Sequence, residues 1–450
     1  MNKFRKQFIN MKNKLLQTIL LLLFITGGIA FSQGVSNDLK ISLKEAQDYA
    51  LAYNKSMKSA RYDAEASKYG LWEAISAGLL QVNSNASINN NLIVMTRIIT
   101  FNGVQTELKF GTNYDLSYGV TASTSIFNAP YLVGIQSATL AQKLAGLNVE
   151  RTGQDIRESV IMSYYLILVS VESMKILDGN ITALNEILRS TRSMLSAGMA
   201  EATDVDQMVS NVSMIENTKS SMARTLELNY NMLRFQLGVS PDTRIILTES
   251  LESILGKIDI AQVLNTGLNV KENLNYKLVA SQEQMSELSL KMQKSTVLPA
   301  VSGFYSYSKS GMGDKISDLS WFPNSIVGLQ LSVPIFATGT RFSKIKQAHL
   351  NLEKARTGKE MVTEQLLLQE KQLRYNLVNA REQYNLQKAN IDVSKRIYTS
   401  VENKYKQGMA SSLELTQSNS LYLQAENNYV SALMNLLQSK LALDKLLNNL

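Results

Sequence analysis

The 450-residue sequence has no cysteine and a single histidine, His349. Without cysteine there is no disulfide framework, thiolate nucleophile, Cys-based zinc site or thioether lipid anchor. Any Ser-His or metal-imidazole chemistry would have to use His349, which lies beside Lys344 and Lys346 on a long helical stretch and reads as a surface or tunnel-wall residue. Proline is scarce, at 5 residues, so little interrupts long helices. Aromatic residues make up 7% of the chain. The 18 methionines fall mostly at helix-packing positions, which suits gap filling better than soft-metal ligation. These shortages argue against an enzyme and against any cofactor or metal centre.

The charge is less basic than it first looks. The formal net charge is +8, but Lys3, Arg5, Lys6, Lys12 and Lys14 sit in residues 1–32, which hold no acid. Setting those five aside leaves +3 for the remainder, which removes the case for a nucleic-acid partner. The same residues precede an apolar stretch, Leu15 to Ile25, then Gly27-Gly28 and Ala30-Phe31-Ser32. This order predicts a secretory signal peptide over 1–32, cleaved before Gln33. Its apolar stretch is shorter than the ~20 residues of a membrane span. Beyond it no uncharged apolar run of 18 residues occurs, so no transmembrane helix is expected.

What is present is an internal repeat. Ser196-Ala197-Gly198-Met199-Ala200 and Lys406-Gln407-Gly408-Met409-Ala410 match at an offset of 210, and each Gly is followed nine residues later by Gln207 or Gln417. Upstream, Ile167, Met174, Ile181, Leu188 and Leu195 pair with Leu377, Tyr384, Ile391, Tyr398 and Tyr405 at the same offset. Each series steps by seven, which keeps one seam facing a partner helix. Helices are expected over 42–79, 131–195, 203–237, 271–298, 340–405 and 412–448. The two longest would each reach ~97 Å at 1.5 Å per residue.

Between the helices lie alternating stretches. Tyr114, Leu116, Tyr118, Val120 and Ala122 oppose Asn113, Asp115, Ser117, Thr121 and Ser123. Val327, Leu329, Leu331, Val333 and Ile335 share a face, and Tyr305 and Tyr307 oppose Ser306 and Ser308. Residues 82–94 alternate weakly and are rich in Asn. A half-buried sheet over a soluble core fits these strands, and so does a membrane barrel wall with apolar residues outward. Four strands cannot close a barrel, and open edges cannot face lipid, so the barrel reading requires several chains.

The order of motifs resembles the TolC-like outer membrane efflux protein family, from Ile41 to Leu447. Its opening is matched by Ile41-Ser42-Leu43-Lys44-Glu45-Ala46 through Asn54, and its helix-to-strand passage by Leu298-Pro299. Val333-Pro334-Ile335-Phe336 matches the strand-to-helix crossing. Ala197-Gly198-Met199 through Asp204-Val205 and Gln407-Gly408-Met409 through Glu414-Leu415 match the two helix-tip turns. Leu80 departs from the pattern, standing where the second half has Pro299.

The resemblance implies a mainly α fold with a transmembrane β-barrel portion. Long coiled-coil hairpins and four strands per chain would be completed as a homotrimer with a 12-stranded barrel and an α-helical tunnel. The implied parts are a first repeat over 33–238, an equatorial segment over 239–270 and a second repeat over 271–450. The implied function is an exit duct in the outer membrane of a Gram-negative bacterium. Outer-membrane lipid, a periplasmic adaptor (membrane fusion) protein and an inner-membrane RND or ABC pump would be its partners. Ala197, Gly198, Met199, Thr203, Gln407, Gly408 and Met409 would dock the adaptor. Glu414, Gln417 and Asp204 would form the periplasmic gate, with Gln417 where relatives can have a second acid. The competing reading is a structural periplasmic coiled-coil spacer without channel activity.

Overall fold

The computed structural model describes residues 38–101, 103–257, 259–336 and 339–450. The expected signal peptide, 1–32, lies outside the described residues. In chain order the first half contains β1 (Leu39–Ile41), α1 (Leu43–Tyr53), α2 (Lys55–Ser76), β2 (Gln81–Asn90), β3 (Thr96–Phe101), β4 (Val104–Lys109), β5 (Tyr114–Phe127), α3 (Ala129–Ser196) and α4 (Ala202–Leu237). Next come β6 (Ile245–Leu247), α5 (Leu251–Lys257), α6 (Ile260–Asn265) and a 3-10 turn over Val270–Glu272. The second half follows with α7 (Leu274–Ser295), β7 (Ala300–Gly313), β8 (Ser320–Ser332), α8 (Thr340–Lys406) and α9 (Ser412–Leu446). The fold is thus mainly helical with one long four-stranded sheet, as expected.

Helices α3 and α8 run 68 and 67 residues. Asn128 caps α3 by accepting from the Tyr131 amide at 3.2 Å, and Pro130 in the first turn gives up no needed hydrogen bond. The heptad seam is buried where the two hairpins meet: Ile167 and Leu377 are fully buried, and Leu188, Tyr398 and Tyr405 nearly so. A central core joins β1, α1, α3, α4, β6 and α9 through Ile41, Ala50, Val160, Tyr164, Leu233, Ile245 and Leu437. One later segment passes for a membrane span by length and mean hydropathy, although its uncharged run, between Glu158 and Glu172, is shorter than 18 residues. Helix α3 holds an 18-residue window of mean hydropathy 1.6, 56% of it buried inside the protein. Its apolar side chains serve this core.

Two expected helices are broken by asparagine. The stretch 42–79 splits at Asn54 (φ −60°, ψ 134°), and 271–298 begins only after Asn273 (φ −62°, ψ 134°). Asn54 accepts from the Ser56 amide (2.8 Å) and donates Nδ2 to the Gln236 carbonyl (2.7 Å) at the end of α4. Asn273 accepts from the Asn275 amide (2.9 Å) and donates to the Leu446 carbonyl (3.0 Å) at the end of α9. Each residue caps one helix start and satisfies an orphan carbonyl at another helix end.

The long sheet is antiparallel in the order β2-β5-β7-β8. Its register lines up two chemically distinct faces. One carries Val82, Ile88, Leu116, Tyr118, Val120, Tyr305, Tyr307, Trp321, Val327, Leu329 and Leu331. The other carries Asn83, Asn85, Ser87, Asp115, Ser117, Thr121, Ser306, Ser308 and Asn324, with Phe304, Met312, Phe322 and Ile326 among them on β7 and β8. Hydroxyl pairs cross-link the polar face, Ser87 with Ser117 (2.8 Å) and Thr121 with Ser306 (3.1 Å). The apolar face stands open, with Val327 81% and Leu329 75% exposed. The expected strand over 82–94 ends at Asn90, and a separate hairpin of β3 and β4 follows, turning through Gly103 at φ +78°. The short parallel pair β1–β6 was also not foreseen from the pattern.

Candidate functional site

Both long helices end by the same device. Gly198 and Gly408 each adopt φ +73°. The Gly198 amide donates to the Leu195 carbonyl (3.0 Å) and Met199 to Met194 (2.8 Å). Gly408 donates to Tyr405 (2.9 Å) and Met409 to Lys404 (2.8 Å). This double closure satisfies the last carbonyls and reverses the chain, and glycine takes the left-handed backbone without a Cβ penalty.

The returning helices start with matching acids. On α4, Asp204 accepts from the Glu201 amide at 3.0 Å. On α9, Glu414 accepts from the Ser411 amide (2.9 Å), and Ser411 Oγ accepts from the Glu414 amide (3.2 Å). Such reciprocal caps place a carboxylate where the helix dipole favours it. Glu414 therefore has a local structural task as well as a place at the tip.

Ala197, Gly198, Met199, Thr203, Gln407, Gly408 and Met409 are all exposed at the two tips. Met199 at 76% and Met409 at 66% present unusual apolar surface. Glu414 and Gln417 are exposed on the first turns of α9, whereas Asp204 is half-buried.

The tips are joined to each other. Ser412 donates its hydroxyl to Asp204 Oδ1 across the two hairpins. That hydrogen bond, helped by the Glu201 amide, holds the Asp204 carboxyl below the usual carboxylate range. Deeper in the bundle, Thr191 gives its proton to the Ile187 carbonyl (2.9 Å), which leaves its oxygen to accept from Tyr405 (2.7 Å). Asn211 donates to Thr416 Oγ1 at 2.9 Å. The rings of Tyr398 and Tyr422 stack at 5.7 Å. Around these polar links Leu184, Ile187, Met208, Ile215 and Leu415 form a closed apolar cluster. Sequence reasoning missed Ser412, Thr191, Asn211 and Thr416. Tyr398 and Tyr405 carried a signal, as heptad positions.

Among the described residues no group of three or more His, Asp or Glu is arranged to hold a metal ion. His349 lies on the surface of α8, 3.7 Å from Glu353 one turn on.

A long antiparallel sheet set on two long helical hairpins with glycine-closed tips is a fold seen in solved outer-membrane channel proteins. The crystal structure of the outer membrane protein VceC from Vibrio cholerae matches with a TM-score of 0.70 at 12% identity, covering 90% of this chain and 95% of that one. The Campylobacter jejuni CmeC outer membrane channel matches with 0.70 at 16% identity, covering 90% and 85%. The open state of the Neisseria gonorrhoeae MtrE outer membrane channel gives 0.70 at 16% identity, covering 90% and 88%. No curated protein matches the chain by sequence. Residues 279–449 match the outer membrane efflux protein domain. The resemblance read from the motifs is borne out by that domain and by the fold of the described chain.

Proposed function

We propose that this chain is one subunit of a homotrimeric exit duct in the outer membrane of a Gram-negative bacterium. Its long helices would form a tunnel through the periplasm. The observation that carries the reading is the sheet: apolar on one face, polar on the other, with β2 and β8 left as edges. Unpaired edge groups each cost several kcal/mol in lipid, and eight strands is the usual minimum for closure. Three copies would bring twelve strands and join β8 of one chain to β2 of the next. The apolar face would then meet lipid and the Asn- and Ser-rich face would line water.

The same reading gives the helical part its roles. The repeats over 33–238 and 271–450 would each supply one hairpin to the tunnel, with 239–270 as a belt around its middle. The exposed glycine turns, flanked by Met199 and Met409, offer a surface to a periplasmic adaptor serving an inner-membrane RND or ABC pump. One Glu414 per chain would set three carboxylates around the tunnel end, with Gln417 and Asp204 near it, and such a ring attracts cations. The duct catalyses no reaction; pump and adaptor supply energy and opening.

A soluble coiled-coil spacer would have to leave Val327, Leu329 and Leu331 in water, which disfavours it. Extraction and reconstitution test the duct. The account expects protein that leaves the membrane only with detergent, runs as a heat-sensitive trimer and conducts ions in planar bilayers. A protein released without detergent that never conducts would contradict it.

A further inference from the structure

The apolar face of the long sheet carries one charge among the described residues, Lys309 on β7. The pairing register sets its place: Ala86, Tyr118, Lys309 and Pro323 form one row across β2, β5, β7 and β8. The next row, farther from the helices, is Ile88, Leu116, Gly311 and Trp321. Lys309 is half-buried, and among the described residues it forms no ion pair. The fold therefore supplies this ammonium with no countercharge, on a face that is otherwise uncharged.

Its depth is informative. Lys309 stands eight residues beyond Val301 on β7, ~26 Å along a strand at ~3.3 Å per residue. At a tilt of about 40° that is ~20 Å across a membrane, against an apolar band of ~25 Å. The lysine falls at the end of the band away from the helices, where a charge costs far less than at the midplane. Its long stem lets the ammonium reach the headgroups. Aromatic rings mark the same level. Tyr118 and Trp321 meet across β7 with centroids 5.6 Å apart. Gly311, lying between them, leaves the room: a Cβ there would meet the Trp321 ring at 3.0 Å. Both rings are partly exposed, at 47% and 39%. Amphipathic rings of this kind settle at the membrane–water boundary.

We propose that Lys309 binds the headgroup phosphate of an anionic lipid in the outer half of the membrane, with the lipid's acyl chain along the Tyr118 and Trp321 rings. The site rests on the reading of the sheet as a barrel wall. Charge complementarity selects the occupant. An acidic headgroup brings the countercharge that the fold withholds, whereas a zwitterionic headgroup carries its own cation and gains little. One lysine near a membrane surface is worth about a fivefold preference for acidic lipid.

Trp321 reports on the site directly, because in full-length Trp72→Phe protein it is the sole indole. That protein is reconstituted in phosphatidylcholine vesicles containing, at equal mole fraction, either dibrominated phosphatidylglycerol or dibrominated phosphatidylcholine. Bromine quenches an indole only at contact, so comparing the two gives the relative occupancy beside Trp321. The expected preference for phosphatidylglycerol is about fivefold. Lys309→Gln should bring that ratio to one without changing quenching by brominated phosphatidylcholine, which shows that the variant still inserts. Lys309→Arg should keep the preference. Equal quenching by the two lipids when Lys309 is present overturns the proposal alone, and so does a preference that survives Lys309→Gln. Quenching by neither lipid overturns the barrel-wall reading along with it.

Discussion

Ser412 donates its hydroxyl to Asp204 across 208 residues of chain, joining the tip of one hairpin to the tip of the other. A hydrogen bond to a charged acceptor contributes about 1.5–3 kcal/mol when shielded, and about 1 kcal/mol is reasonable at this half-exposed site. Ser412→Ala should therefore shift the closed-to-open ratio of the tip about fivefold toward open. Single-channel recording in planar bilayers reads it as a larger open fraction. An unchanged open fraction would remove this contact from the gate.

The same pair has a defined pH window. Its carboxyl is held below the usual value in the folded tip, so the contact's contribution is fully present above the unfolded pKa of about 3.9 and is lost as pH falls through the lower folded value. The difference between wild type and Ser412→Ala should stay constant from pH 8 to about 5 and close only below about 4. A difference that vanishes between pH 7 and 5 would point to another group.

Gly198 and Gly408 have no heavy atom within 4 Å of a built Cβ, so substitution there meets backbone strain and no clash. A valine at φ +73° should cost about 1–2 kcal/mol at each tip. Hydrogen exchange at Met199 and Met409 should speed up while the assembly stays intact, and export in cells should fall. Loosened tips with normal export would argue against docking at these turns.

Asn54 and Asn273 perform one task at two places in the fold. Alanine at Asn273 removes a helix cap and leaves the Leu446 carbonyl without its partner, a loss of about 2 kcal/mol. The first turn of α7 should then exchange its amides roughly thirtyfold faster. Asn54→Ala should do the same to α2, with the Gln236 carbonyl left unpaired.

Trp321 lies on the apolar face of the sheet over Gly311, where a Cβ would meet its ring at 3.0 Å. With Trp72→Phe removing the other indole, Trp321 should be quenched in bilayers of brominated lipid. Gly311→Ala should shift its emission by displacing the ring. No quenching would mean that this face does not touch lipid.

Much of this architecture was legible in the residues because it is periodic. Ile167 to Leu195 and Leu377 to Tyr405 step by seven, and the structure buries Ile167, Leu188, Leu377, Tyr398 and Tyr405, half-buries Met174, Ile181, Tyr384 and Ile391, and leaves Leu195 exposed. The alternation in β5 and β8 assigned the faces of Tyr114 to Ser123 and of Val327 to Leu331, but Val333 and Ile335 lie past the end of β8 at Ser332. Glycine in a left-handed turn placed both tips.

What escaped was set by contacts distant in sequence. Asn54 sits in a stretch with helical composition, and the break there is completed by a carbonyl 182 positions away. Ser412 looks like an ordinary residue at the start of a helix until Asp204 is brought to it. Glu426 on α9 reads as one more polar residue on an amphipathic helix, and only three-helix packing buries it. The β3–β4 hairpin did carry a local signal, the Asn102-Gly103 pair typical of two-residue turns, hidden in an Asn-rich surrounding.

The central claim is that three copies close one wall, and the absence of native cysteine makes it directly measurable. Cysteine introduced at Ser84 on β2 is combined with cysteine walked along Ser325, Val327 and Leu329 on β8, and intact membranes are oxidised. At the matching register the account predicts covalent dimers and trimers and nothing larger. Monomers at every register, or a ladder that runs on past three, would contradict it.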